Sequence, residues 1–588
     1  MSEMLSTAGR AGRWLLLGPF LTFAVSAGHA ANSNEGQQAR APLSAFAQSG
    51  PASAQLEIPP VIDRPLGVEE GPRVFVSRFD LSGAVSRPDA DIRISEIQTI
   101  LDDHVSSQSP DGFAIGQLQA VADDVTNYYR ERGLILAQAF VPAQDVVDNV
   151  VRIEVLEGEL ENIVVEGNRI FRTSLVQAPF RRLQGQPVTQ GTIERALLDV
   201  QDYPGLTVFG TFTQGQNLGG TDLVVQVPEE DRFYVTPSVD NYGSIFTGEY
   251  RAALDFRANN LFGAGDQIGG YILQSFEPDN GIFGGIDLSI PVGITTFGFG
   301  ASTNQFDVTG VGTVTTPVSG TADQAYAFLN FAFANGRFFG SNGRFTLTSK
   351  RADTEATGLG QPVLLNEDKL TVASFDVDFF HASRSGRGVT IAELGVDIGL
   401  PDTIGSMDEN GDNFSSRQNA FGEFAGGDFA KVRASMQHLR RLSQNNSLLF
   451  RVDGQWTSDL LVALEQYSIG GPRNVRAYPV AEALADIAAT ASLEWIINAP
   501  GFASRQAGNR TWGEIFQVSL FADYGWGELI EPLANENARP ELYGAGIGFQ
   551  FNIPNRFFAR LDVASPLSDP EPTDGRDPQY FFRMSYTF

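Results

Sequence analysis

The sequence contains no cysteine in 588 residues, which excludes disulfides, thiol catalysis and cysteine-based metal sites. Histidine is scarce too, and no two of the four lie three or four residues apart: His29, His104, His381 and His438. No glycine-rich nucleotide loop ending in Lys-Ser or Lys-Thr occurs. The chain is therefore predicted not to be an enzyme, with no cofactor and no metal.

Long hydrophobic runs are also missing. Beyond the N-terminus there is no stretch of 18 apolar residues, so no transmembrane helix is predicted. The N-terminus itself has Arg10 and Arg13 before a short apolar core, Trp14–Val25, and small residues up to Ala30. This arrangement is typical of a secretory signal. We predict a signal peptide over residues 1–30 and export of the remaining chain.

Positively charged residues are much fewer than negatively charged ones. Lys and Arg number 41 against 70 Asp and Glu, a formal net charge of −29, which argues against nucleic acid as a partner. Charged residues make up only 19% of the chain, whereas glycine occurs 62 times and phenylalanine 44 times. Such a composition suits many strands joined by tight turns.

The exported part divides into three kinds of sequence. Residues 31–72 are rich in Ala, Gln, Ser, Pro and Gly and are predicted to be a linker or a plug segment. Residues 73–158 have strand and helix periods in the order β-α-α-β-β, and residues 159–231 repeat that order. We therefore predict two consecutive α+β modules.

The helical period disappears after residue 231. Residues 232–588 alternate apolar and polar side chains between turn signals, and sixteen strands can be counted. An even number of antiparallel strands is typical of a bacterial outer-membrane β-barrel, and a closed barrel leaves no strand edge in lipid. A large array of soluble β-sandwiches is the competing fold, but it does not account for the many aromatic residues on one strand face.

The C-terminal strand carries the strongest barrel signal. The last ten residues read QYFFRMSYTF, which puts Phe582, Tyr586 and Phe588 on one face, together with Tyr580 and Met584. Outward aromatic residues with phenylalanine as the last residue are what a barrel-closing strand needs. An ordinary amphipathic strand at a chain end is the competing interpretation.

One loop in the barrel region carries a distinctive motif. Val475, Arg476, Ala477 and Tyr478 lie in a predicted loop over residues 460–487, and the sequence Phe521-Ala522-Asp523-Tyr524-Gly525 follows in a later strand. These two motifs, in this order, resemble those of the ShlB/FhaC/HecB-like two-partner secretion transporters, the TpsB branch of the Omp85 superfamily.

The resemblance implies a role for each motif. The loop tip folds back into the barrel, where Arg476 pairs with Asp523 across the lumen and the barrel-wall residues Phe521 and Gly525 lie beside it. An arginine fork on a carboxylate gives direction as well as attraction, and a glycine lets a loop approach the wall closely. Ala477 stands where the family usually has glycine, so a left-handed backbone at that position would carry an energetic cost.

The resemblance also covers the modules. The segment Tyr128–Ile135, followed by Phe140–Gln144, is similar to the first POTRA module of these transporters. It implies POTRA 1 at 73–158 and POTRA 2 at 159–231, both in the periplasm. The substrate-binding candidates are Tyr128, Tyr129 and Leu134. The competing interpretation is that these three residues only pack in the module core.

The implied function is translocation of a secreted TpsA-like exoprotein, of the adhesin, haemagglutinin or haemolysin type, through an outer-membrane pore without nucleotide. The predicted partners are that exoprotein, membrane lipid and lipopolysaccharide, and the barrel assembly machinery, with the transporter itself a monomer. An Omp85-type factor that inserts other barrels is the main alternative, although it usually has more POTRA modules. A passive porin would lack residues 73–231, and ligand binding by the outer loops stays open as a second role.

Overall fold

The computed structural model describes residues 56–57, 72–277, 281–293, 295–308, 317–336, 338–357, 361–534 and 536–588. The predicted signal peptide at 1–30 lies outside these residues, as does most of the linker or plug segment at 31–72. The described chain forms two compact units whose boundary along the sequence lies between Asp231 and Arg232. Among the helices in these ranges, none has the length and apolarity needed to cross a membrane.

The first module has the β-α-α-β-β order expected from its periodicity. Its elements are β2 (Arg73–Val74), β3 (Arg78–Ser82), α1 (Ile94–Ser107), β4 (Phe113–Ala114), α2 (Ile115–Glu131), β5 (Gln138–Phe140) and β6 (Val150–Leu156). The sheet order is β3-β6-β5, with β3 and β6 parallel and β5 antiparallel to β6, and β2 and β4 form a separate small pair. Helix α2 buries one apolar stripe against the sheet. It ends just before Gly133, whose φ of 92° is left-handed and incompatible with a right-handed helix.

The second module repeats the order with a longer sheet. It contains β7 (Glu159–Glu166), α3 (Thr173–Gln177), a 3-10 turn (Ala178–Leu183), α4 (Gln190–Gln201), β8 (Leu206–Gln214) and β9 (Gly220–Glu230). A two-residue strand β1 (Leu56–Glu57), which the sequence analysis assigned to the linker, pairs in parallel with β8. The sheet order is therefore β1-β8-β9-β7.

Sixteen strands of the described chain close into an antiparallel barrel, as predicted. Numbered along the chain, barrel strands 1 to 8 are Phe233–Asp240, Tyr250–Asn259, Gln267–Phe276, Gly281–Val292, Thr295–Val308, Val318–Asn335, Phe339–Ala356 and Val363–Ala382. Barrel strands 9 to 16 are Gly388–Gly399, Ala430–Arg441, Asn446–Thr457, Ile487–Asn498, Phe516–Glu528, Glu541–Ile553, Phe557–Pro566 and Gln579–Tyr586.

Side chains alternate between the outside and the lumen along each barrel strand. On barrel strand 13, Leu520 is exposed on the outside, whereas Phe521 and Asp523 are buried on the inside. The exposed outer residues are large and apolar, as a lipid-facing surface requires, and include Phe297, Phe299, Phe345, Phe375, Trp456, Trp495, Leu520 and Phe549. Polar side chains are thereby directed into the lumen.

The seam between barrel strands 1 and 16 is a short pairing. Only three positions pair there, Ser238 to Asp240 with Arg583 to Ser585, against eight between barrel strands 1 and 2. The side chain of Asn241 extends the seam: its Nδ2 donates to the Tyr580 carbonyl at 2.9 Å, and its Oδ1 accepts from the Phe582 amide at 2.7 Å. The backbone N–H of Asn241 also donates to the Phe582 carbonyl at 3.2 Å, so this residue extends the seam with both its main chain and its side chain.

The alternating pattern predicts strands at Gln324–Phe333, Arg344–Lys350 and Leu370–Phe380. The corresponding barrel strands 6, 7 and 8 are much longer, at 18, 18 and 20 residues. A tilted strand needs only about 9–11 residues to cross a bilayer, so these three extend beyond it. Their outer ends bury polar residues such as Thr354 and Asp368 and share an apolar cluster with Ala425 and Phe429 of loop 400–429. The backbone N–H of Ser416 in that loop donates to Asp368 Oδ1 at 2.9 Å. Because these extensions carry polar residues on their inner face, their sequence pattern is closer to that of a loop than to that of a barrel strand.

Candidate functional site

A loop between barrel strands 11 and 12, here called the luminal loop (residues 458–486), folds into the barrel. It contains a 3-10 turn, Ala463–Glu465, and a short hairpin whose strands are Tyr467–Ile469 and Ala483–Ala485. Gly470 and Gly471 have φ angles of 107° and 96°, a left-handed region in which a side chain would be strained. These two glycines turn the chain away from the hairpin and into the loop tip.

At the tip, Arg476 meets Asp523 of barrel strand 13. Its Nε donates to Asp523 Oδ2 at 2.8 Å, its Nη2 donates to Oδ1 at 2.7 Å, and its backbone N–H donates to Oδ2 at 3.1 Å. Both side chains are almost fully buried. Three donors on one carboxylate fix the direction of the arginine as well as its position. The structure thus brings together the two charged residues that the sequence analysis paired.

Arg476 belongs to a larger group of ionised side chains. Its Nη1 lies 3.1 Å from Glu494 Oε2 and 3.8 Å from Asp562 Oδ1. We call the tip cluster the three arginines and three acids that interconnect here: Arg451, Arg476, Arg560, Glu494, Asp523 and Asp562. Three positive charges balance three negative ones, which limits the cost of holding them away from water.

The wall residues of the second motif surround the arginine. The guanidinium carbon of Arg476 lies 3.3 Å from the ring centre of Phe521, a cation–π contact. A Cβ on Gly525 would lie 2.6 Å from Ile469 Cγ2 and 2.8 Å from Val475 Cγ2, so no side chain fits there. The glycine therefore allows the loop to pack directly on barrel strand 13.

The remaining tip residues are also buried. Ala477 is absent from the residues with positive φ, so alanine carries no backbone cost at this position. Its Cβ lies against Gly544, where a second Cβ would come within 2.4 Å. The hydroxyl of Tyr478 donates to the carbonyls of Ser568 and Pro570, at 3.2 and 3.0 Å, in the loop between barrel strands 15 and 16.

The candidates in the first module lie in its core. Tyr128, Tyr129 and Leu134 are all buried among the apolar residues of α1, α2 and the sheet. The Tyr128 hydroxyl donates to Glu96 Oε2 at 2.8 Å, a hydrogen bond that lowers the pKa of Glu96. Such burial favours the core role. Direct contact of these three residues with a substrate stays a prediction.

The C-terminal residues adopt the alternation that the sequence indicated. Tyr580, Met584, Tyr586 and Phe588 are exposed on the outside, and Phe582 is half-buried on the same face. Phe581, on the opposite face, is buried against Tyr242. The aromatic row is therefore available to lipid or to another protein.

The sequence analysis missed several members of the site. Glu494, Asp562, Arg451 and Arg560 join the tip cluster from other strands, where they look like ordinary lumen residues. It also missed Arg417 of loop 400–429, which pairs with Asp486 and donates to the carbonyls of Leu461 and Ile530 at 3.3 and 3.0 Å. Arg417 ties both ends of the luminal loop to its neighbours.

Ion pairs and hydrogen bonds between the luminal loop and the barrel wall make up this site. Within the described ranges, no group of three or more His, Asp and Glu residues is arranged to hold a metal ion. The luminal loop is held inside the barrel by ion pairs and hydrogen bonds, and none of the contacts described at its tip is covalent. Contacts of this kind can open without any covalent bond being broken.

Comparison with known proteins agrees with this geometry. The family model described as haemolysin secretion/activation protein ShlB/FhaC/HecB matches residues 219–551, and the model for the ShlB-type POTRA domain matches residues 76–158. The second match covers the first module, and the first covers the luminal loop and most of the barrel.

Relatives cover nearly the whole chain. The heme/hemopexin transporter protein HuxB of Haemophilus influenzae is 22% identical over 86% of both chains. The outer membrane transporter CdiB of Escherichia coli is 26% identical over 72% of this chain and 69% of its own. A solved structure of CdiB from Escherichia coli has the same fold, with a TM-score of 0.67 at 19% identity, over 97% of this chain and 99% of that one.

The family model alone matches more than half of the chain. Its members have the POTRA domain in the periplasm and the barrel in the outer membrane. This protein belongs to the haemolysin secretion/activation family ShlB/FhaC/HecB, the two-partner secretion transporters that translocate partner exoproteins across the outer membrane.

Proposed function

We propose that this transporter serves one large exoprotein of the adhesin, haemagglutinin or haemolysin type, and that the luminal loop occupies the passage until that exoprotein arrives. The observation that carries the proposal is the burial of Arg476 against Asp523, with the loop tip packed on the barrel wall. Removing one partner of a buried pair costs about 3–5 kcal/mol, so the docked loop is a defined state.

The periplasmic modules are proposed to receive the exoprotein in an extended, unfolded form. The sheet β3-β6-β5 has two edge strands to which such a segment could add by backbone hydrogen bonds. Backbone pairing does not require Tyr128, Tyr129 or Leu134 to leave the core. These three residues remain the candidates for contact with the exoprotein, with packing in the module core as the competing role.

Translocation is proposed to proceed without nucleotide and without enzymatic chemistry. Folding of the exoprotein outside the cell releases free energy on one side only, of the order of 5–15 kcal/mol per domain, which opposes return. The remaining assignments made from the sequence, including the signal peptide at 1–30 and the POTRA 2 identity of 159–231, belong to the same proposal. So do a monomeric state, contact with lipid and lipopolysaccharide, and delivery by the barrel assembly machinery.

Deletion of the gene tests the central claim. Proteins released into the medium and proteins retained in the periplasm are compared between the deleted strain and its parent. Loss of one large exoprotein, with other outer-membrane barrels at normal levels, is the expected result. A general fall in barrel proteins would contradict it and make the chain an assembly factor.

Substitution of the ion pair tests the luminal loop. Arg476→Ala and Asp523→Ala should each reduce secretion while the barrel still inserts, because each leaves a buried charge without its main partner. Arg539→Ala is the matched control, since Arg539 pairs with Glu528 at 2.7 Å on the surface, where ion pairs contribute about 0–1 kcal/mol. Normal secretion by both tip variants would rule out a role for the pair.

A further inference from the structure

Lysine is very rare in this protein. The 588 residues contain three, Lys350, Lys369 and Lys431, although arginine is common. Two of the three meet at a single carboxylate, that of Glu465 in the luminal loop. We call Lys350, Lys431 and Glu465 the lysine clamp.

Both carboxylate oxygens of Glu465 are used in the clamp. Its Oε1 lies 2.7 Å from Lys350 Nζ, and its Oε2 lies 2.8 Å from Lys431 Nζ. Lys350 comes from barrel strand 7 and Lys431 from barrel strand 10, so the two cations reach the loop from different parts of the wall. The carboxylate therefore joins the loop to two separate strands.

The backbone of Glu465 is held as well. Its carbonyl accepts hydrogen bonds from Lys431 Nζ and from Gln455 Nε2, both at 3.0 Å. Gln455 Nε2 also donates to the carbonyl of Asp486 at 3.1 Å, close to where the loop rejoins the wall. Side chain and main chain are thus fixed at the same residue.

Glu465 lies eleven positions before Arg476, and the clamp shares no residue with the tip cluster. The side chains of Lys431 and Glu465 are 1% exposed, and that of Lys350 is 14% exposed. Without Glu465, Lys431 would keep an ion pair with Asp397 at 3.8 Å, a carboxylate that Arg433 already contacts at 2.7 Å. A buried ammonium with so distant a partner is unfavourable, and this favours a docked Glu465.

We propose that Glu465 is a positioning residue for the luminal loop and that the lysine clamp is the pivot about which the loop tip moves. The inference rests on the proposed role of the loop in occupying the passage. With Glu465 fixed, only the short segment beyond it must be ordered for Arg476 to reach Asp523, and a shorter segment loses less entropy on docking. When the tip leaves the wall, the clamp stays closed and the loop swings instead of leaving the barrel.

The scarcity of lysine makes the clamp directly measurable. An amine-reactive acetylating reagent is applied to the folded, full-length protein in detergent, and acetylation at each lysine is followed by mass spectrometry. Lys369, whose side chain is 42% exposed, should react quickly, whereas Lys431 should be strongly protected. In Arg476→Ala, Lys431 should remain protected within about threefold, because a pivot survives release of the tip.

Glu465→Gln keeps the size of the side chain and removes its charge. We expect acetylation of Lys431 to become at least tenfold faster and secretion to fall, with Glu465→Asp between this variant and the unsubstituted protein. Glu367→Gln is the matched control, because Glu367 pairs with Lys369 at 2.7 Å and should change the labelling of Lys369 alone. Lys350→Met is the second clamp variant, used if Glu465→Gln does not fold, and it should also speed labelling of Lys431.

Three results would overturn the inference. The first is unchanged protection of Lys431 in the folded clamp variants, a readout that needs no exoprotein. The second is loss of protection in Arg476→Ala as large as in Glu465→Gln, because the loop would then leave as one piece. The third is faster labelling in Glu465→Gln with normal secretion while Arg476→Ala fails to secrete. Normal secretion by Arg476→Ala as well would instead refute the proposed function of the loop.

Discussion

The contact between Ala477 and Gly544 gives the sharpest prediction about the luminal loop. A Cβ added to Gly544 would lie 2.4 Å from the Cβ of Ala477, whereas two carbon atoms in contact are about 3.5–4.0 Å apart. Gly544→Ala therefore requires a shift of about 1 Å at a fully buried position next to Arg476. We expect this substitution to weaken docking of the loop tip without touching any charge.

The size of the effect follows from the cost of overpacking. Extra carbon in a well-packed site costs about 1–3 kcal/mol. Because each 1.4 kcal/mol is a factor of ten, the equilibrium between docked and released tip should shift by about 5- to 150-fold. A released tip no longer fills the lumen, so the pore should then have a higher conductance. In planar lipid bilayers the ratio of time spent in this high-conductance state to time in the low-conductance state should rise by a factor in that range for purified Gly544→Ala.

A second substitution should reverse the first. Ala477→Gly removes the methyl group that the new side chain would meet, and the next atoms of residue 477 lie at 3.4 and 3.5 Å, close to ordinary contact. The double variant should therefore return most of the way to the conductance of the parent. Gly284→Ala is the control, because a Cβ there meets only a backbone oxygen at 3.6 Å. A double variant no better than Gly544→Ala alone would refute the steric reasoning.

Three further outcomes are expected from other parts of the chain. Asn241→Ala removes two hydrogen bonds across the seam, each contributing about 0.5–1.5 kcal/mol, so the barrel should unfold at a lower temperature in heated detergent gels, and an unchanged transition would contradict this. Leu134→Ala should cost the first module about 2–5 kcal/mol and hasten its proteolysis while the barrel stays protected; equal digestion of parent and variant would place Leu134 outside the core. Phe588→Ser should reduce the amount of barrel in the outer membrane yet leave refolding of the purified chain in detergent unchanged, because we propose that the assembly machinery binds this exposed side chain. An equal loss in the membrane and in detergent would mean that Phe588 has a purely structural role.

The regular parts of the fold could be predicted because the physical signal is local. A strand with one face in lipid and one in a polar lumen must alternate at every residue, and that pattern can be read directly. The alternation predicts strands at Gln267–Phe276 and Leu542–Ile553, and the structure has barrel strands 3 and 14 at Gln267–Phe276 and Glu541–Ile553. The outer parts of barrel strands 6 to 8 were not predicted as strand. They pack against loop 400–429 instead of lipid, so their sequence does not need to alternate apolar and polar residues.

The site could be predicted only where a motif marked it. The sequence analysis paired Arg476 with Asp523, but nothing local marks Glu494 or Asp562 as their neighbours, since polar residues recur along the whole lumen face. The lysine clamp joins residues 350 and 465, which are 115 positions apart. A usable signal was nevertheless present in the composition: a residue type used three times in 588 is worth locating one position at a time.

The neutrality of the tip cluster has a consequence for ions. While Arg476 is docked, its charge and that of Asp523 cancel, and the wall at that depth attracts neither sign of ion. When the tip withdraws, Arg451 and Arg560 are left facing three carboxylates, and the wall gains one net negative charge. Acidic rings favour cations in channels. The released pore should therefore prefer potassium over chloride more strongly than the docked one, and its reversal potential in a salt gradient would report the position of the loop.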